Sequence, residues 1–184
     1  MSNPSIGRLE LICGPMFSGK TTELIRRLEA AQFMQSVTLS FKPTFDTRYA
    51  DQELVTHGGQ RIRAVAAKNA ADIVRNSGDA KVVGIDEAHF FGSELSSACS
   101  TLVAAGVRVI VVGLEFDHRG DVFEPFPSLL MRSDEIIRLV GVCTVCGGEA
   151  IHSQRMIPNT QRIAVGGIGD YEPRCGECFK PSRL

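Results

Sequence analysis

The chain has 184 residues, 43% of them hydrophobic and 22% charged, and its 20 basic and 21 acidic side chains leave a formal net charge of −1. That composition suits a globular domain able to bury a core, and no apolar run nears the roughly 20 residues that span a bilayer, so no membrane partner is expected. Near-neutral charge supplies no general field for nucleic acid, which is likewise not expected as a partner.

Met1-Ser2-Asn3-Pro4-Ser5 is polar with no apolar segment behind it, which reads as a frayed tail rather than a secretion signal and makes the cytoplasm the expected compartment. Arg8 to Cys13 reads as a buried strand. Gly14-Pro15-Met16-Phe17-Ser18-Gly19-Lys20-Thr21 then completes a phosphate-binding loop, followed by Thr22. Its glycines let backbone N–H groups curl around phosphates, Lys20 reaches β- and γ-phosphates, and the Thr21 hydroxyl suits Mg²⁺. Thr21 to Met34 is expected to be helical, with Leu24, Ile25, Leu28, Ala31 and Phe33 at helical spacing.

Val37 to Phe41 reads as a second strand, Lys42 to Asp51 as a polar, turn-prone stretch, and Leu54 to His57 with Arg61 to Val65 as a short hairpin around Gly58-Gly59. Ala66 to Asn76 is expected to be helical, Lys81 to Ile85 a strand ending in Asp86-Glu87, Ser93 to Ala105 a helix stopped by Gly106, and Val107 to Val112 an apolar strand closing at Gly113. Apolar strands alternating with amphipathic helices point to an α/β fold with a parallel sheet covered on both faces. Leu114 to Pro127 reads as a loop that shapes a site, and Ile136 to Val140 as one more core strand. From Cys143 onward short strands are expected, with Ile151 to Met156 and Gln161 to Val165 as candidates. The expected division is residues 1–140 as a nucleotide-binding core and 141–184 as a small metal-stapled unit.

In a parallel sheet the carboxyl ends of neighbouring strands converge on the ligand crevice. Asp86 there would hold Mg²⁺ through water alongside Thr21, the alternative being a solvent-facing acidic turn. Glu87 is then left to take a proton from an attacking hydroxyl, the alternative being a capping or loop carboxylate. Arg48, in Asp46-Thr47-Arg48, has the chemistry to neutralise charge on a transferred phosphoryl group, but a surface salt bridge is the simpler reading for it and for Lys42, Arg119 and Arg155.

Cys143-Thr144-Val145-Cys146 and Cys175-Gly176-Glu177-Cys178 supply four thiolates in two close pairs, the pattern of a closed tetrahedral Zn²⁺ site with a structural role. An iron–sulfur cluster or a redox pair is the chemical alternative. Cys13 and Cys99 read as buried small hydrophobes. Between the cysteine pairs, Val165-Gly166-Gly167-Ile168-Gly169-Asp170-Tyr171 is either a wall whose glycines let backbone approach a ligand or a surface loop pinned at its base.

Together these stretches resemble the cytosolic, zinc-containing thymidine kinase family over nearly the whole chain, Gly7 to Pro181. The likeness rests on the phosphate loop through Leu24, on Asp46-Thr47-Arg48-Tyr49, Ile85-Asp86-Glu87-Ala88-His89-Phe90-Phe91, Gly113-Leu114, Arg119-Gly120, Val165-Gly166-Gly167, Tyr171-Glu172-Pro173-Arg174-Cys175 and the cysteine pairs. The resemblance implies a RecA-like core with a zinc-held lasso, usually in a homotetramer, and transfer of the ATP γ-phosphoryl group to the 5'-hydroxyl of thymidine. It implies Glu87 as general base, Asp86 as the Mg²⁺-linked acid, Lys20 and Arg48 at the phosphates, and thymidine triphosphate as feedback inhibitor. Met16, Phe90, Leu114, His118, Ser153, Val165, Gly166, Gly167 and Tyr171 fall on the acceptor pocket. His89 stands where the family usually has glutamine, Ser153 where threonine is common, and His118 where an aromatic residue closes the pocket. Deoxyuridine is expected as a poorer acceptor, because a single methyl contact discriminates by only about 1–3 kcal/mol. Two rival readings are a phosphate-loop ATPase whose zinc knuckles bind nucleic acid and a non-catalytic nucleotide sensor.

Overall fold

In the computed structural model, residues 6–44, 53–55, 59–158, 161–164, 166–167 and 169–181 are described. Six strands form one sheet: β1 (Arg8–Cys13), β2 (Thr38–Pro43), β5 (Val65–Ala67), β6 (Val82–Ile85), β7 (Arg108–Gly113) and β8 (Glu135–Arg138), in the order β5-β2-β6-β7-β1-β8. Every pairing is parallel, and the register sets Cys13 beside Gly113, Ile85 beside Val111 and Phe41 beside Ile85. The carboxyl ends of β1, β2, β6 and β7 therefore lie along one rim.

Because successive side chains point to opposite faces, each central strand must be apolar on both. On one face Ile12, Val82, Ile110 and Val112 pack against Leu24, Ile25, Leu28 and Ala31 of α1 (Lys20–Phe33). On the other, Leu9, Leu11, Val83, Ile85, Val109 and Val111 meet α2 (Ala70–Asn76), α3 (Glu94–Ala104) and α4 (Phe126–Arg132) through Ile73, Leu95, Leu102 and Leu129. Each fully buried aliphatic side chain contributes about 1.5–3 kcal/mol. Glu10 interrupts the apolar run at 2% exposure and is held by Arg108, at 2.7 and 2.9 Å, and by Arg27 of α1. Desolvation works against its charge, yet the hydrogen bonds and charges of those two guanidinium groups prevail, and its pKa is lowered.

The hairpin appears as β3 (Glu53–Val55) paired antiparallel with β4 (Arg61–Arg63), its Thr56–Gly58 portion lying outside the described residues. The C-terminal part adds two antiparallel pairs, β9 (Gly141–Val142) with β10 (Glu149–Ala150) and β11 (His152–Arg155) with β12 (Tyr171–Arg174).

Several expectations need correction. Gln161 to Ala164 is not a strand; the partner of β11 is Tyr171–Arg174, whose pattern is obscured by Pro173 and by the charge of Arg174 at a covered position. Val65–Ala67 is an edge strand of the sheet, and α2 starts only after Asn69, whose side chain accepts from the Asp72 N–H at 3.0 Å as an N-cap. Phe126 and Pro127 open α4 instead of ending a loop. Phe33 is 88% exposed, on the face of α1 opposite the stripe that Leu24, Leu28 and Ala31 define. Ile136 is half-exposed because β8 is the sheet's outer strand.

Gly84 lies under α1, where a Cβ would meet the Cδ1 atoms of both Leu24 and Leu28 at 2.9 Å. Gly84→Ala should lose about 1–3 kcal/mol of stability in urea unfolding without altering the sheet, since both leucines are fully packed.

Candidate active site

The phosphate loop leaves β1 with Gly14 at φ 146°, where a Cβ would lie 2.2 Å from the Leu139 carbonyl oxygen, so only glycine fits. Gly19 at φ 83° turns the chain into α1, whose first N–H groups face the loop as an anion site. The Pro15 carbonyl accepts from Lys20 Nζ at 2.5 Å and from Ser18 Oγ at 2.8 Å, holding the loop closed on itself.

Across from it, Thr21 Oγ1 donates to Asp86 Oδ2 at 2.9 Å, joining the first turn of α1 to the end of β6. The other Asp86 oxygen accepts from the Glu87 N–H at 2.8 Å. Asp86 is 5% exposed, so it is no solvent-facing turn. Desolvation first, and the neighbouring Glu87 charge second, push its pKa up to about 7, against the bonds from Glu87 N–H and Thr21 and the charge of Lys20. Desolvation in turn pulls Lys20 below its usual value, with Glu87 and Asp86 opposing. Glu87 sits in the left-handed region at φ 51°, ahead of a 3₁₀ turn, Ala88–Phe90, and its side chain makes no capping hydrogen bond there. Backbone strain of this kind is tolerated where surrounding structure over-determines it.

One cavity contains both halves of the predicted site. From the phosphate side it is lined by Met16, Phe17, Gly19, Lys20, Thr21, Thr22, Asp86 and Glu87. From the other side come Phe90, Leu114, His118, Ser153, Gly166, Gly167 and Tyr171. Gly14, Pro15 and Ser18, which belong to the same loop as Met16, do not line the cavity. Arg48 and Val165 lie outside the described residues.

Met16 N–H donates to Ser153 Oγ at 2.9 Å, so β11 is fastened directly to the phosphate loop. Tyr171 is 6% exposed, with its hydroxyl donating to the Ala164 carbonyl at 3.0 Å. Arg155, read from sequence as a surface residue, is 6% exposed and central: it donates to Tyr171 Oη at 2.8 and 3.0 Å, to the Gln161 carbonyl at 2.5 Å and to the Arg162 carbonyl at 3.1 Å. Its only sequence signal was its place two residues after Ser153 on an alternating strand. Lys42 is also buried and lines the cavity, while Arg119 is half-buried. Arg162 crosses from the segment between β11 and β12 to Asp117 at 2.7 Å, and Asp117 in turn accepts from the N–H groups of Arg119 and Asp121. His118 is 3% exposed, and Nε2 lies 3.4 Å from the Gln161 carbonyl, so Nε2 carries the proton. Burial, then the Arg155 charge, lowers its pKa.

Cys143, Cys146, Cys175 and Cys178 converge with all four sulfurs within 4.8 Å of one another. Cys146 and Cys175 Sγ are 3.6 Å apart, too far for the roughly 2.05 Å of a disulfide and near the ~3.8 Å edge of a tetrahedron with metal–sulfur bonds of about 2.3 Å. Backbone N–H groups, that of Cys175 foremost, draw Cys143 down to about 6, while hydrogen bonding with Cys175 and the other thiols pushes Cys178 up to about 12, so the four sulfurs share their protons unequally. Burial instead pushes Cys13 and Cys99 up to about 12, as inert core thiols.

A profile of the family described as thymidine kinase matches residues 7–179. The chain belongs to the thymidine kinase family. Relatives carrying that name include one from Bacteroides thetaiotaomicron, 41% identical over 177 residues that cover 96% of this chain and 89% of the relative. Another, from Rhodothermus sp., is 42% identical over 179 residues, covering 97% and 84%, and one from Chloroflexus aurantiacus is 39% identical over 192 aligned positions, covering 99% and 100%. The thymidine kinase resemblance drawn from the motifs is thus upheld over the same span that carries the cavity and the cysteine cluster.

The Asp86 environment gives a pH signature. A carboxyl raised to about 7 in the folded state, against an unfolded value near 3.9, favours folding at low pH, and that advantage is lost as pH rises through the folded value. Without nucleotide or divalent metal, Asp86→Asn should therefore be more stable than the parent at pH 8, with the difference shrinking toward pH 5 in denaturant titrations.

Proposed function

We propose that the chain is an ATP-dependent thymidine kinase that transfers the γ-phosphoryl group to the 5'-hydroxyl of thymidine, giving thymidine monophosphate, with deoxyuridine as a poorer acceptor. The observation that carries this reading is the single cavity in which the phosphate loop and the Asp86-Glu87 pair face an apolar, glycine-lined acceptor wall. A nucleotide site alone would not need that second wall.

Lys20 and the N–H groups of the loop hold the donor phosphates, and Met16 lines the acceptor side of the same loop. Glu87 takes the proton from the 5'-hydroxyl as that oxygen attacks. Phe90, Leu114 and Tyr171 bound the base, with backbone of Gly166-Gly167 and of the Leu114 loop supplying its hydrogen bonds. Arg48 is assigned to the transferred phosphoryl group. Thr21 and Asp86 would hold Mg²⁺, consistent with a buried carboxylate and hydroxyl meeting at the loop; the ion supplies neutralisation of β- and γ-phosphate charge. The lasso segment excludes water, limiting hydrolysis of ATP.

On this reading residues 1–140 are a RecA-like phosphate-loop core and 141–184 a zinc-held lasso unit. Four converged sulfurs, with no further donor grouped with them among the described residues, favour a closed Zn²⁺ site over one with an open position. Homotetramer assembly and feedback inhibition by thymidine triphosphate rest on the family resemblance. The reduced cysteine set supports a cytoplasmic setting, and among the described residues no helix is long and apolar enough to cross a membrane.

Purified protein given ATP, Mg²⁺ and a panel of nucleosides should yield thymidine monophosphate foremost; no product from any nucleoside would sink the assignment. Glu87→Gln should lower kcat by about 10²-fold or more while ATP affinity stays within a factor of two. Metal analysis should find one zinc per chain, lost in Cys175→Ser, and chelation should raise the thymidine KM before the core unfolds.

A further inference from the structure

The 3₁₀ turn that follows Glu87 carries a second ring into the cavity. His89 is 5% exposed, packed against Phe90 with ring centroids 4.1 Å apart and against Phe123 at 5.0 Å. The N–H of Leu114, the residue after β7, reaches His89 Nδ1 at 3.3 Å. A backbone N–H can only donate, so Nδ1 is the accepting nitrogen and the ring proton belongs to Nε2. Nε2 stands 3.7 Å from Glu87 Oε2. The ring is thus fixed by two aromatic neighbours and by one edge, and its remaining edge presents an N–H toward the carboxylate of Glu87.

We infer that His89 is a positioning residue for phosphoryl transfer: its Nε2–H orients the Glu87 carboxylate toward the acceptor hydroxyl while Nδ1 ties that arrangement to the loop beginning at Leu114. This rests on Glu87 being the base. Glu87 is held in the left-handed region by its bond to Asp86 and by the turn behind it, and that turn carries the His89 ring to within reach of the Glu87 carboxylate. A separation of 3.7 Å is longer than a hydrogen bond and acts as a charge–dipole contact; hydrogen bonds at catalytic groups tighten when substrate seats. The same ring borders the acceptor wall through Phe90 and Leu114, so seating of the nucleoside and orientation of the base share one side chain.

The test is a double-mutant cycle on the full-length protein, measured as kcat and KM for ATP and thymidine. His89→Phe keeps the aromatic packing and removes both nitrogens; kcat should fall about 10–50-fold with the ATP KM unchanged. His89→Gln keeps one acceptor and one donor and should recover most of that loss. In a Glu87→Gln background, His89→Phe should reduce the residual rate less than twofold, because the group it orients is gone. Full additivity of the two losses, or a His89→Gln rate as low as that of His89→Phe, would overturn the inference and assign the ring to packing alone. Unchanged turnover in Glu87→Gln by itself would instead overturn the base assignment. Should His89→Phe fold poorly, His89→Leu in the same cycle gives the same comparison, with a thermal melt on each variant separating stability from rate.

Discussion

The in-register parallel alignment of β1, β6 and β7 is the constraint on which the site depends. With Cys13 beside Gly113 and Ile85 beside Val111, the residues that leave these strands emerge on one rim: the phosphate loop from β1, Asp86-Glu87 from β6 and Leu114 from β7. Glycines permit the close approaches this requires. A Cβ at Gly113 would sit 3.0 Å from the Ala88 backbone nitrogen, so the turn carrying Glu87 and His89 can lie against the end of β7 only because that position is bare. Slipping any of these strands by one residue would exchange the side chains packed under α1 with those packed under α2 and α3 and shift its carboxyl end along the rim, so the fit to both helix layers holds the site's geometry.

That geometry is electrostatically unsettled by itself. Two adjacent carboxyls and a desolvated ammonium share a rim from which water is largely withdrawn, and the result is a raised Asp86 and a lowered Lys20. Both shifts run toward the neutral forms, the direction that desolvation imposes. On the proposed function, phosphates would complement Lys20 and the α1 N-terminus, and a divalent cation would complement Asp86. Stability is given up at this rim in exchange for affinity, the usual relation between an active site and its scaffold.

The core was legible because its signals are local. The phosphate loop is a contiguous pattern, β1, β6 and β7 are unbroken apolar runs, and each cysteine pair carries its own spacing. Legibility fails where a residue's role depends on a distant partner. Arg155 looks like any surface cation until β12 and the Gln161–Ala164 segment fold around it, and Tyr171–Arg174 has no strand-like composition without the pairing that β11 imposes. His89 was visible as a departure from the family motif, but its bond to Leu114, 25 positions away, was not. Phe33 erred in the opposite sense, since composition marked it apolar while the helix phase turned it to the surface.

The C-terminal part draws its order from sources other than an apolar core. Beyond Gly141 the buried hydrophobic residues among those described are Cys143, Ala150 and Tyr171, far too few to order a segment this long against its conformational entropy. Order must come from elsewhere: from four converged thiols, from Arg155, which satisfies the Gln161 and Arg162 carbonyl groups, and from Arg162, which is held by the Asp117 carboxylate and the Val122 carbonyl. Such polar and metal-borne order has a use. The cavity wall can remain backbone-rich and close-fitting while its base, through Ser153 and Met16, stays bonded to the phosphate loop. The two sides of the cavity are therefore one hydrogen bond apart, and a displacement of either strand β11 or the phosphate loop is felt by the other.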